Sequence, residues 1–403
     1  MEQTRENHYD RTYAEIYLDR IRRNVENARR LLKADKKFCV VLKTDAYGHG
    51  APAVAWAVDD LVDYYAVATV EEGAVLRRHG IQKPILNLGV VPPSDYALMI
   101  RERIMPTVFT VEQAQAISAE AGRLGTTAEV HLALDTGMGR IGILTEEEGA
   151  EDTALAIAAA ENIRIAGMYT HFASADEKDK SFALEQYCRF RNFAEKLEKR
   201  GLHIPIRHCA NSAGIMEQIG TDFDMVRDGI CVYGIYPSNE VDRGALPLLP
   251  ALEWKARISY IKTVPAGYPV SYGSTFRAPH RMEIATVPVG YGDGYPRLLS
   301  GQGEVLIHGK RCPVLGRVCM DQFMADVSGL NASAGDQATL LGRDGDAEYT
   351  LYDMEKCGCF TYEVLCGIGK RVPRVYISQD RIVGMQDAFR EVYPDFVRKS
   401  ADK

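Results

Sequence analysis

From Tyr13 to Tyr236, short β-branched runs alternate with longer stretches of helical periodicity, and that alternation confines the chain to architectures built on a parallel sheet. The strand-like runs are Phe38–Leu42, Tyr65–Ala68, Pro84–Leu88, Met105–Phe109, Glu129–Leu134, Arg164–Tyr169, Ile204–His208 and Asp224–Val226. Eight βα repeats predict an α/β fold of (β/α)8 TIM-like barrel type over residues 13–240. Helix signals fit between the runs: Asp176-Glu-Lys-Asp precedes a long charged helix, and Lys199-Arg200-Gly201 gives its end the cations and glycine that suit a C-terminus. Past Leu252 the pattern changes to closely spaced strands with few helices: Trp254–Val264, Met282–Val287, Glu304–Ile307, Cys312–Val318 and Arg374–Ile377. These predict a mostly antiparallel β domain over residues 251–390, with residues 1–15 as candidates to pair with it. Asn239–Pro250, which carries Pro247 and Pro250, reads as a linker.

At 403 residues and 46% apolar content, the chain can build two or three domains around large cores. Its charge is mixed, with a net of −7 and no basic block, which argues against nucleic acid as a partner. The polar segment Met1 to Arg11 lacks the apolar centre of a signal peptide, and no run approaches the roughly 18 apolar residues of a membrane span. A cytoplasmic protein with no membrane partner is expected. Nine cysteines, of which only Cys357 and Cys359 are closely spaced, match neither a paired zinc site nor a disulfide framework. Reduced, packed thiols and no metal are expected. Asn331-Ala-Ser333 fits the glycosylation pattern, which carries no weight in a cytoplasmic protein.

The most informative local stretch is Val40-Val41-Leu42-Lys43-Thr44-Asp45-Ala46-Tyr47-Gly48-His49-Gly50, an apolar run that ends on a lysine and passes into loop chemistry. A lysine at the carboxyl end of a parallel strand points into the crevice where α/β folds place ligands. Partial desolvation there lowers an ammonium pKa and makes the amine a usable nucleophile or base, as a Schiff-base lysine requires. An arbitrary strand-end lysine more often snorkels to solvent. Here the neighbours decide otherwise, because Lys-x-Asp-Ala-Tyr-Gly-His-Gly resembles the pyridoxal-phosphate motif of alanine racemases.

A pyridoxal-phosphate enzyme must hold a phosphate, tune a pyridine nitrogen, bind a substrate carboxylate and place proton-transfer groups about Cα. Asn211-Ser212-Ala-Gly214 follows a strand and opens a helix, so Ser212 and nearby amides can face an anion, although the same pattern is an ordinary N-cap. Met225-Val-Arg227-Asp-Gly229-Ile230 offers a second glycine-bearing strand end, and Arg227 there is either a donor to the pyridine nitrogen or a structural ion-pair residue.

The resemblance extends in order over nearly the whole chain. Asp135-Thr-Gly-Met-Gly-Arg140-Ile-Gly, Tyr169-Thr-His171-Phe-Ala-Ser-Ala-Asp176-Glu, His208-Cys-Ala-Asn211-Ser212, Val270-Ser271-Tyr272-Gly273, Gly290-Tyr291-Gly-Asp293-Gly-Tyr-Pro-Arg297, Gly316-Arg317-Val-Cys319-Met320-Asp321-Gln322 and Thr361-Tyr362-Glu363 all resemble signatures of that family. It implies pyridoxal 5'-phosphate joined to Lys43 in the barrel mouth, with Tyr47, Asn211, Ser212, Gly229, Ile230 and Tyr362 around the cofactor and mostly its phosphate. Arg227 would face the pyridine nitrogen, with His171 and His208 in its hydrogen-bond network. An arginine does not favour protonation of that nitrogen, which limits how far charge spreads into the ring and discourages transamination.

The resemblance further implies a homodimer in which Tyr272 from one subunit's β domain enters the barrel of the other, Met320 contributes backbone near the substrate carboxylate, and Tyr291 narrows the entrance. Inversion at Cα needs one group to remove a proton and another to return one to the opposite face, and Lys43 with Tyr272 form the implied catalytic pair. A phenol titrates near ~10, so Tyr272 needs a neighbour such as His171 to act as a base. Arg140, Met320 and Tyr291 are the implied substrate-binding residues, and Tyr291 with Tyr362 leave a pocket suited to alanine that can admit serine. The implied activity is interconversion of L- and D-alanine for peptidoglycan in a bacterium, with a serine or broader-specificity racemase, a pyridoxal-phosphate decarboxylase and a non-catalytic cofactor-binding barrel as alternatives.

Two features stand apart. Gly137-Met-Gly139-Arg-Ile-Gly142, with Glu161 further on, satisfies a dinucleotide-binding pattern and so admits an NAD-dependent oxidoreductase, though it sits on the fifth strand, and Arg140 would crowd the turn. The family also commonly carries a lysine, often carbamylated, two positions before its Asp-Thr-Gly-Met segment. It helps to orient the arginine at position 140, and this chain has Ala133 in its place.

Overall fold

The computed structural model describes residues 11–388. Residues 1–10 of the segment expected to pair with the β domain, and 389–390 of that domain's expected span, lie outside the described residues. The chain divides into two compact units, one comprising residues 18–251 and the other the N-terminal strand together with the chain from Leu252 onward.

The first unit is a parallel barrel. Lys37–Val41, Tyr64–Val67, Ile85–Asn87 and Ile104–Met105 pair in chain order, and Met225–Asp228 pairs with Lys37–Val41. Pro106 breaks the fourth strand, so its second half, Thr107–Val108, pairs onward with Ala128–Asp135, which in turn pairs with Ile163–Tyr169 and then Arg207–His208. Backbone bonds from Asp224 N to Arg207 O at 3.0 Å and from Arg227 N to Ala210 O at 2.9 Å complete the ring. The expected (β/α)8 barrel is therefore present. Its strands read as near-continuous apolar runs because helices such as Leu18–Arg30, Val111–Arg123 and Ser181–Lys199 accompany them. The stretch Asn239–Pro250 is bound tightly within this unit. Buried Asn24 donates to the carbonyls of Val232 and Leu249 at 3.1 and 2.9 Å and accepts from Leu249 N at 2.8 Å.

The second unit is a long, mostly antiparallel sheet running from Tyr260–Val264 at one edge to Arg381–Gln386 at the other. Met282–Val287 and Glu304–Ile307 fall where expected. Thr12–Tyr17 does not open the barrel as a start at residue 13 would require. It lies between Leu252–Arg257, antiparallel, and Arg374–Ser378, parallel. The expected strand Trp254–Val264 is two strands, since the chain turns at Ile258-Ser259 and the second half pairs with Met282–Val287. No glycine or proline marks that break. Trp254, Tyr295 and Phe323 fill the core, with Tyr295 stacked on Phe323 at 4.8 Å. The indole of Trp254 donates to Thr12 Oγ1 at 2.8 Å, so the polar end of this large core residue is satisfied.

Candidate active site

Lys43 sits half-buried just beyond the carboxyl end of Lys37–Val41. Thr44, Asp45, Ala46 and Tyr47 then all adopt left-handed backbone angles, with φ between 52° and 57°. Each such L-residue costs about 1–2 kcal/mol, so the surroundings must hold the turn. They do so through side chains. Glu72 Oε1 accepts from Thr44 N at 2.6 Å and Asp45 Oδ1 from Ala51 N at 2.7 Å, while His49 Nδ1 lies 3.1 and 3.0 Å from the carbonyls of Ala46 and Tyr47. Tyr47 packs against Tyr233 at 4.9 Å, and the Tyr233 hydroxyl donates to Val41 O at 2.7 Å. The residues after Lys43 thus bracket a strained turn, and with it the lysine.

Tyr47, Ser212 and Gly229 meet at one place. Gly229 N donates to Ser212 Oγ at 2.9 Å, and Ser212 Oγ donates to Asp228 Oδ1 at 2.7 Å. A Cβ on Gly229 would stand 2.9 Å from Tyr47 Oη and 3.8 Å from Ser212 Oγ, so the glycine keeps open a cradle between two hydroxyls. Buried Ile230 follows directly. Asn211 serves mainly the fold, because its Oδ1 caps Gly214 N at 2.9 Å. Asp228 is wholly buried with Oδ2 unpartnered among the described residues, and burial pushes its carboxyl up to about 6.

Arg227 is 3% exposed and surrounded by neutral acceptors. Nη1 donates to His208 Nδ1 at 2.7 Å, and Nη2 donates to Thr170 O at 2.9 Å and approaches His171 Nδ1 at 3.4 Å. Its guanidinium lies 5.1 Å from the Tyr169 ring. Among the described residues it has no carboxylate partner, which sets aside the structural ion-pair reading. A buried cation held this way fits an uncharged nitrogen acceptor such as a pyridine. Burial, then the charges of Arg227, Arg140 and Lys43, push His171 down to about 3, so its ring is neutral.

The glycine-rich segment after Ala128–Asp135 is not a dinucleotide turn. Asp135 Oδ1 accepts from Gly137 N and Gly139 N at 2.9 and 3.1 Å, and the chain continues into the short parallel strand Ile143–Leu144, where a nucleotide fold would start a helix. Gly142 has φ +127°, and a Cβ there would meet Asp135 N at 2.6 Å, so the loop must fold back on its strand. Arg140 projects from it exposed, with no hydrogen bond or ion pair among the described residues, while Ala133 is buried.

In the β unit, Tyr272, Met320 and Tyr291 are 69%, 53% and 43% exposed. Their loops are tied together. Tyr291 N donates to Cys319 O at 3.1 Å, Gly292 N to Met320 O at 2.8 Å, and Ser271 Oγ lies 3.5 Å from Cys319 Sγ. Buried Asp293 anchors them, accepting from Gly290 N at 3.0 Å and pairing with Arg11 at 2.8 Å. Tyr362, half-buried on the helix Thr361–Gly367 of the same unit, stacks on Phe360 at 5.1 Å. His131, which sequence reasoning missed, lies 3.0 Å from His208 and shares a strand face with Ala133 and Asp135. That period of two was its available signal.

A barrel with a bracketed strand-end lysine, an open hydroxyl cradle and a buried arginine facing only neutral acceptors defines the barrel class of pyridoxal-phosphate enzymes. The family models for the alanine racemase N-terminal and C-terminal domains match residues 16–237 and 251–376, so the chain belongs to the alanine racemase family, whose members depend on pyridoxal phosphate. It is 45% identical to the alanine racemase of Desulforamulus reducens, over 91% of this chain and 99% of that one. To the alanine racemase of Clostridium novyi it is 41% identical over 94% and 99%. A solved alanine racemase of Clostridium difficile superposes with a TM-score of 0.89 at 41% identity over 93% and 98% of the two chains. The Bacillus anthracis enzyme with bound L-Ala-P gives 0.90 at 36% over 96% and 100%. The dinucleotide-dependent and decarboxylase alternatives are set aside by this membership. No helix among the described residues is long and apolar enough to cross a membrane.

Proposed function

We propose that this chain interconverts L- and D-alanine by two-base proton transfer at Cα, as a cytoplasmic homodimer that supplies D-alanine for peptidoglycan. The observation that carries the reading is the buried Arg227 held by His208, His171 and backbone carbonyls, together with the bracketed Lys43. When bound, pyridoxal phosphate supplies an electron sink that acidifies the substrate Cα–H. Tyr47, Ser212 and Gly229 would hold its phosphate, and Arg227, always charged, would donate to its ring nitrogen without surrendering a proton. Lys43 holds or takes a proton on one face of Cα, Tyr272 of the partner subunit does so on the other, and the roles exchange with the direction of reaction. Neutral His171 can donate to that phenolic oxygen once it loses its proton. Arg140 and backbone of the partner subunit's Met320 would bind the substrate carboxylate, and the partner subunit's Tyr291 with Tyr362 would leave a small pocket that favours alanine over longer amino acids, with serine the nearest competitor.

The test is a coupled D-amino-acid assay on purified protein with L-alanine, L-serine and L-lysine, combined with borohydride fixation. Fastest turnover of alanine and a pyridoxyl label on Lys43 are expected. Faster turnover of lysine, or a label elsewhere, would overturn the assignment.

A further inference from the structure

Hydrogen-bond polarity runs through three residues of the barrel interior and ends on one that no role has yet claimed. An arginine has only donors, so the 2.7 Å contact from Arg227 Nη1 requires a bare lone pair on His208 Nδ1. A neutral His208 therefore carries its proton on Nε2, which faces His131 Nδ1 at 3.0 Å. That contact in turn requires a bare Nδ1 on His131 and places its proton on Nε2, a wholly buried atom with no partner among the described residues. The order cannot be reversed, because the arginine end cannot accept.

The fold makes room for the last link. A Cβ on Gly167, in the neighbouring strand, would stand 2.5 Å from His131 Cε1 and 2.7 Å from Nδ1, so only glycine leaves space for the ring. The pairing of the two strands slips between Val130 and His131, a local irregularity of the kind that re-aims a side chain. Tyr169 stacks on His208 at 5.2 Å and confines that ring from the side.

We infer that His131 is a positioning residue: by accepting the Nε2 proton that Arg227 leaves on His208, it holds that ring and, through it, the direction of the Arg227 guanidinium. The inference rests on the reading that Arg227 faces the cofactor's ring nitrogen. Protonating either imidazole would set N–H against N–H, so the chain keeps both rings neutral beside a buried cation. Burial and the Arg227 charge independently push His131 down to about 3.

The test is isotope-edited NMR of the histidine ring nitrogens in wild-type holoenzyme, with His131→Leu and His131→Asn beside it. In wild type, both His131 and His208 should carry the proton on Nε2 at neutral pH. His131→Leu leaves the Nε2 proton of His208 without an acceptor, so the His208 ring-nitrogen signals should move and kcat should fall by about tenfold, with KM for alanine nearly unchanged. His131→Asn places an acceptor near the former Nδ1 and should recover most of kcat. If the leucine variant does not fold, His131→Gln, whose amide reaches too far, should show the same displaced His208 signals and the same loss of kcat. A proton on Nδ1 of either wild-type ring, or unchanged kcat once the acceptor is gone, overturns the inference while racemisation stands. Wild type that binds the cofactor without racemising alanine overturns the reading of Arg227 and the positioning role with it.

Discussion

The barrel residues of the site and those of the β unit differ in how far they are finished. Arg227, His208 and Ser212 are 3%, 0% and 6% exposed, and hydrogen bonds fix their orientation. Tyr272, Tyr291 and Met320 have well-anchored backbones, yet their side chains are 69%, 43% and 53% exposed. A preorganised set can bind and tune a cofactor by itself, whereas an exposed set acquires its role only against another surface. The contrast separates cofactor binding from turnover, and substitutions can break it.

Lys43→Ala should have the largest effect, a loss of at least about 10³-fold in racemisation together with loss of the borohydride-reducible linkage. Tyr272→Phe should lower kcat by about 10²-fold while the visible absorbance of bound cofactor stays intact. Cofactor loss in the tyrosine variant would erase the contrast. Mixing Lys43→Ala with Tyr272→Ala protomers should recover activity, since one site of each heterodimer then holds both residues. Verified subunit exchange with no recovery would place Tyr272 outside a shared site.

A smaller effect is expected at Asp228, inside the finished set. Its folded value, about 6, lies above the ordinary carboxylate value near ~3.9. The resulting destabilisation is therefore absent below the ordinary value, grows as pH rises through about 6, and is constant beyond. Asp228→Asn keeps the acceptor for Ser212 and removes the titration. Its stability relative to wild type should rise by on the order of 2 kcal/mol between about pH 4 and pH 7 in denaturant titrations. A flat difference would mean that the buried carboxyl is not held protonated.

The smallest effect concerns Arg140, the one barrel member left exposed. With Ala133 in place of a lysine there is no carbamate to direct it, and we predict that a small anion takes over. Chloride should raise turnover by less than about tenfold, and the dependence should disappear in Ala133→Lys if that lysine is carbamylated. Equal turnover in chloride-free buffer of matched ionic strength would remove the anion from the account.

Sequence legibility followed the range of the interactions. Lys43, Ser212, Gly229 and Arg227 were readable because each sits at a strand end with its own local motif, and Met282–Val287 was readable because its apolar run has clear ends. Thr12–Tyr17 could not be placed from its own residues, which let positions 13–15 count toward both units, because its partners, Leu252–Arg257 and Arg374–Ser378, are more than two hundred residues away in the chain. The turn within Trp254–Val264 carries no breaker residue, so nothing local announces it. The lack of a carboxylate partner for Arg227 among the described residues and the His208–His131 contact are properties of the barrel interior, which no single strand encodes.

The left-handed turn at Thr44 to Tyr47 has a practical corollary for anyone who engineers this chain. Four non-glycine residues held at positive φ are places where glycine would relieve backbone strain. A screen for thermal tolerance would therefore be drawn to the one segment whose stiffness aims the amine. Variants recovered there can survive heating and still turn over slowly, so selection on melting alone would favour a sturdier but less competent catalyst.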